Sequence, residues 1–158
     1  LTNDHLFSLG ALMFAFINFW AYIAFSQYML IWYADLPEET FWFLHRWEGS
    51  WAIFSIVMIV MNFLVPYIVL LSQPAKMDPK KLKFVAIWLL VAKFVDYYWV
   101  IIPNMSTSEH GVVLSWMDLA YPVAFIGLIM LVFNDRVKKS NLMPIGDPKL
   151  ERGLNFHL

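Results

Sequence analysis

Residues 82–103 read LKFVAIWLLVAKFVDYYWVIIP, a hydrophobic run of membrane-spanning length that nonetheless carries Lys93 and Asp96 in its interior. At 1.5 Å of rise per helical residue, Lys93 lies roughly 16 Å from Leu82, about the midplane of a bilayer. An ionisable side chain at that depth is costly, and it marks an ion path, a ligand site or a buried pair. The three-residue spacing sets Lys93 and Asp96 on one helix face, where each can neutralise the other. Tyr97 follows one turn after Lys93. Any chemistry in the chain is expected at this level.

The composition agrees with a membrane setting. Of 158 residues, 61% are hydrophobic, 18% aromatic and 15% charged, too apolar for a soluble domain of this length. The expected fold is an all-α integral membrane protein, a bundle of four transmembrane helices. The spans are predicted at about residues 6–34, 50–71, 82–102 and 112–133, with 134–158 as a polar C-terminal tail. No cysteine is present, which excludes iron–sulfur ligation, disulfides and covalent haem attachment by this chain alone. The first apolar run is too long for a secretory signal and lacks a basic flank.

Outside the central run the polar residues are sparse. Asn18, Tyr22 and Ser26 recur every four residues along the first span, with Gln27 adjacent, and predict a stripe facing other helices. The connection DLPEETFWFLHRWE (35–48) predicts a short interfacial helix, with Pro37 at its first position and Glu38 and Glu39 in its first turn. Pro66 in the second span and Pro122 in the fourth deprive the carbonyls of Asn62 and Asp118 of their helical donors, predicting two kinks beside polar side chains.

Charge sets the expected orientation. Lys76, Lys80, Lys81 and Lys83 flank the connection between spans two and three, and the tail adds further basic residues. On the opposite side Arg46 is the one basic residue, against Asp35, Glu38, Glu39, Glu48 and Glu109. The positive-inside rule then puts both termini in the cytoplasm. In that frame Asp96 lies about 9 Å short of the outward end of span three, and Asp118 about 9 Å inside a fourth span starting near Val112, so the two carboxylates are expected to be level.

The chemistry these residues suit is narrow. His5, His45, His110 and His157 fall at ends, loops or tails, so axial haem ligation is not expected, and His45 with His110 lacks a metal-binding spacing. Lys93, Asp96 and Asp118 suit a proton relay, for which a merely structural ion pair is the competing reading. A quinone pocket needs flat apolar walls and a hydrogen-bonding acid or base, which His45, Tyr97 and Trp99 with the two aspartates can supply.

The string FWAYIAFSQYMLIWYADLPEETFWFLHRWEGSW (19–51), continued by KFVDYYWVIIP and a tail ending GDPKLERGLNFHL, resembles the F subunit of bacterial alternative complex III. That family is similar to polysulfide-reductase (NrfD-like) membrane subunits. Its members are longer, with about ten helices in two bundles, and the chain corresponds to their C-terminal part. The resemblance implies a bacterial inner-membrane subunit of a quinol:cytochrome c, or quinol:oxidase, oxidoreductase in a respiratory chain. Its implied partners are a multihaem cytochrome c, an iron–sulfur protein, a paralogous NrfD-like subunit and a terminal oxidase. Haem c and iron–sulfur clusters belong to those partners, this chain binding no cofactor alone while contacting quinol. Nucleic acid is no expected partner. A purely structural assembly subunit and a small independent transporter are the alternatives.

Overall fold

A computed structural model describes residues 3–105, 115–139, 148–150 and 153. The described residues are helical, without strands, and four helical segments are long and apolar enough to cross a membrane. The chain is thus a multi-pass α-helical membrane protein. It divides into two compact units, Leu1–Val112 and Val113–Leu158.

In the first unit, helix α1 (Asn3–Ala34) is 32 residues long, so it extends about 48 Å, well beyond the hydrocarbon thickness. No proline interrupts it. It stops where Asp35 turns to φ 48°, a left-handed conformation that aspartate tolerates, and the Asp35 N–H closes on the Ile31 carbonyl at 3.1 Å. Helix α2 (Pro37–His45) begins with Pro37 in its first turn and carries Glu38 and Glu39 there, as the sequence predicts. Phe43 of α2 meets Tyr28 of α1 edge to face, with centroids 5.2 Å apart.

The second span is helix α3 (Ser50–Ile59), a π turn (Val60–Leu64) and helix α4 (Val65–Leu70). A register shift therefore stands just before Pro66, where the kink is expected. The Val65 N–H bonds back to the Val60 carbonyl, five residues earlier. With that shift, the residue that would donate to the Met61 carbonyl is Pro66, which has no N–H. Trp88 takes the place of the missing donor, its Nε1–H reaching the Met61 oxygen at 2.9 Å. Sequence reasoning had put the vacancy at Asn62; the π turn moves it by one residue.

Helix α5 (Gln73–Met77) is a short turn lying against α1, and helix α6 (Pro79–Met105) is the third span. Asp78 caps α6, its Oδ1 accepting from the Lys80 N–H at 2.9 Å. Contrary to the predicted end near Ile102, α6 runs through Pro103 to Met105. The first unit is therefore an up-down-up arrangement. One core cluster (Ile17, Leu70, Leu82 and Val85) joins the start of α1 to α4 and α6, and a second (Trp51, Met58, Tyr98 and Trp99) joins α3 to the far end of α6.

The predicted polar stripe on α1 does not form a packing face. Asn18 bonds to its own helix at the Phe14 carbonyl, 2.7 Å away, and Tyr22 is 68% exposed. The real packing face holds Gly10, Phe14 and Ile17, because small and apolar residues let α4 and α5 approach. In the second unit, helix α7 (Trp116–Lys139) has an apolar surface and no buried residue among its own. Large apolar side chains are exposed along all the spans, the pattern of a lipid-facing surface rather than a water-facing one.

Gly10 sets the α1–α5 distance. A Cβ added there would stand 2.8 Å from both the Cβ and the backbone O of Lys76, whereas one added at Gly127 meets nothing within 4 Å. Gly10→Ala is expected to destabilise the protein in detergent by about 1–3 kcal/mol through overpacking. Gly127→Ala, tested in the same thermal-unfolding assay, is expected to be neutral or stabilising through helix propensity.

Candidate functional site

The site is built around Arg46, directly after α2. Its side chain is 1% exposed although it is the only arginine among the described residues of the first unit. Pro103 lies inside α6 and lacks the N–H that would have bonded the Trp99 carbonyl four residues back. Arg46 supplies it. The guanidinium donates from Nε to Trp99 O at 3.2 Å and from Nη2 to Val100 O at 2.9 Å and Asn104 Oδ1 at 3.1 Å. Nη1 donates to Trp42 O at 2.9 Å, one turn back along its own chain.

Indole rings cover the charge that those carbonyls only partly compensate. The guanidinium carbon lies 3.6 Å from the Trp42 ring centroid and 5.2 Å from that of Trp99, and the two rings meet edge to face. Burial lowers the Arg46 pKa from its ordinary value to about 10, so the group stays charged at neutral pH. The Ser55 hydroxyl extends the network: it accepts from Trp99 Nε1 at 2.7 Å and lies 2.9 Å from the carbonyl oxygens of both Arg46 and Trp51. Arg46, Ser55 and Trp99 thereby lock the α2–α3 connection, α3 and α6 together.

On the same side of α6, Lys93 and Asp96 form the ion pair expected from their spacing, Nζ to Oδ2 at 2.9 Å. A third partner comes from α1, where Trp20 Nε1 donates to the same Oδ2 at 3.1 Å. The Lys93 ammonium also lies 4.7 Å from the Trp20 ring centroid. Trp20 therefore meets both members of the pair, joining α1 to α6. Beside it opens a cleft of about 660 Å³, walled by α1, α2, α3 and α6 and lined by Trp20, Ala24, Trp42, Ser55, Asp96 and Trp99 among others. Among the described residues Asp96 is its only acid, on walls that are mostly aromatic and aliphatic.

The remaining predicted residues fall elsewhere. Tyr97 is 63% exposed and His45 stacks on Phe41 with centroids 6.1 Å apart; neither lines the cleft, whereas Trp99 does. Asp118 belongs to the second unit. Because α7 begins at Trp116 rather than near Val112, Asp118 sits only about 3 Å along the helix, not about 9 Å. There its Oδ2 accepts the Ser115 backbone N–H at 2.9 Å, one half of a capping box. His110 lies outside the described residues. Among the described residues no cluster of metal-ligating side chains occurs.

Two residues of the site escaped sequence reasoning. Arg46 was read as an interfacial charge, although its four-residue spacing from Trp42 was a legible cation–π signal. Trp20 lies in mid-span, away from the interfacial belts where tryptophan is ordinary. No protein-family model matches the sequence, and no curated protein matches it.

Arg46→Leu is expected to leave the Trp99 carbonyl unsatisfied, while Asn104 Nδ2 still donates to Val100 O at 2.9 Å, and to cost about 3 kcal/mol. Arg46→Lys keeps the charge without the planar fork and should recover only part of that loss. Trp88→Phe, which orphans the Met61 carbonyl alone, should cost about 1–2 kcal/mol. Thermal unfolding in detergent followed by near-ultraviolet circular dichroism checks the ranking. Equal stability of Arg46→Leu and wild type would show that the Trp99 carbonyl finds another donor.

Proposed function

We propose that the chain is a membrane subunit of a quinol-oxidising respiratory complex, with Asp96 as a proton-exchanging group. The observation that carries this reading is a membrane-embedded carboxylate, held by Lys93 and Trp20, on the wall of a ligand-sized cleft. A carboxylate tied to an ammonium has two protonation states that a small movement of the lysine can interchange. The resemblance of residues 19–51 and the later segments to the F subunit of alternative complex III supports the respiratory setting. In that setting the redox centres, haem c and iron–sulfur clusters, reside in partner subunits. The chain supplies a proton path, a scaffold and contact with quinol.

Within this proposal the protein sits in a bacterial inner membrane with both termini cytoplasmic, since the lysines of 76–83 gather at one end of the spans. Lys93 modulates the Asp96 proton. One observation favours a second reading, a purely structural subunit: Trp20, Lys93 and Asp96 are also the tie between α1 and α6.

Asp96→Asn preserves size and the acceptor for Trp20 while removing the titratable proton. In the assembled complex, quinol turnover with coupled proton release is expected to fall at least tenfold. Wild-type turnover and proton release in that variant would sink the relay. Replacing Lys93 and Asp96 together by Met and Leu separates the readings, since a structural pair tolerates an apolar exchange and a relay does not.

A further inference from the structure

The cleft has a chemistry of its own, apart from proton exchange. Its volume of about 660 Å³ falls among small-molecule pockets rather than packing defects. Four indoles, of Trp20, Trp42, Trp47 and Trp99, line it, and Ala21 and Ala24 keep the α1 wall low. Those surfaces suit a flat or chain-like apolar body. The polar end is more selective, because both bonds to the Asp96 carboxylate fall on Oδ2, from Trp20 and from Lys93. Oδ1 has no hydrogen-bond partner among the described residues.

The charges decide what that oxygen can accept. Lys93 already neutralises Asp96 at 2.9 Å, so a cationic head gains little and meets the ammonium, while an anionic head meets a carboxylate. A neutral donor suffers neither penalty. Nitrogen and oxygen donors both fit that requirement, but a hydroxyl is the uncharged donor that membrane amphiphiles carry most simply. From these residues we infer that the cleft binds a neutral, hydroxyl-headed membrane amphiphile. Its O–H donates to Asp96 Oδ1 and its apolar body lies between Trp20, Trp42 and Trp99. The same chemistry is offered by a lipid alcohol, through a glycerol hydroxyl, and by a quinol, through a phenolic hydroxyl. The inference concerns equilibrium binding, so it can fail or hold independently of proton exchange during turnover.

The test is a native mass spectrometry titration of the intact protein purified from membranes. The probes are 1-oleoylglycerol and its di-O-methyl ether, and decylhydroquinone and its dimethyl ether under reducing conditions. One equivalent of a hydroxyl form is expected to bind about tenfold or more tightly than its ether, the worth of one hydrogen bond to a charged group. Whichever hydroxyl probe binds more tightly identifies the source. Asp96→Ala should reduce the hydroxyl preference to about twofold or less. Ala24→Trp fills the cleft from α1 and leaves the ion pair intact, so it should abolish binding of all four probes. Equal affinities for hydroxyl and ether forms, a preference that survives Asp96→Ala, or binding unaffected by Ala24→Trp would each overturn the assignment.

Discussion

A guanidinium that supplies the donor missing at Pro103 ties the elements of the first unit together. Pro103 leaves the Trp99 carbonyl without its helical donor, and Arg46 fills the gap from a different element. In lipid such a carbonyl has no water to fall back on, so its partner must come from protein. The consequence is mechanical as well as energetic. Trp99 is fixed by its backbone through Arg46 and by its ring nitrogen through Ser55, and it forms one wall of the cleft.

The same logic recurs in the second span. A π turn before Pro66 leaves the Met61 carbonyl open, and Trp88 of α6 closes it. Two helix irregularities are thus converted into two interhelical ties, both ending on α6. This explains why α6 can hold a charged pair at membrane depth: its position is set by polar bonds at two levels as well as by apolar packing. Asn62 adds a third tie between them, its Nδ2 donating to the Met58 and Ala92 carbonyls at 3.1 and 3.3 Å. Its amide oxygen is buried without a partner among the described residues, so the π turn retains a polar group of unmet capacity.

Helix α1 packs through Gly10, Phe14 and Ile17, and its bond to α6 is made by Trp20. Its close contacts are with α5, α4, the π turn and α2, and Trp20 is the residue that bonds it to Asp96 of α6. One wall of the cleft is thus bonded to α6 through the group proposed to exchange protons and to bind a hydroxyl. In the two proposals, binding and proton exchange share one carboxylate.

The sequence by itself determined the solvent and the fold class. Apolar runs of spanning length in a chain without cysteine can be satisfied only as membrane helices, and the three-residue spacing of Lys93 and Asp96 forces them together because helix geometry is local. The short helix after Pro37 was legible for the same reason, its signals lying within one turn. Tertiary structure decided the rest. That Arg46 is buried depends on a carbonyl 53 residues away, and that Asp96 has a third partner depends on Trp20, 76 residues away. The depth assigned to Asp118 failed because a helix start is a capping event at Ser115, weakly written in composition. Local periodicity fixes which residues share a face. Only the packed chain fixes which orphaned backbone group each long side chain must satisfy.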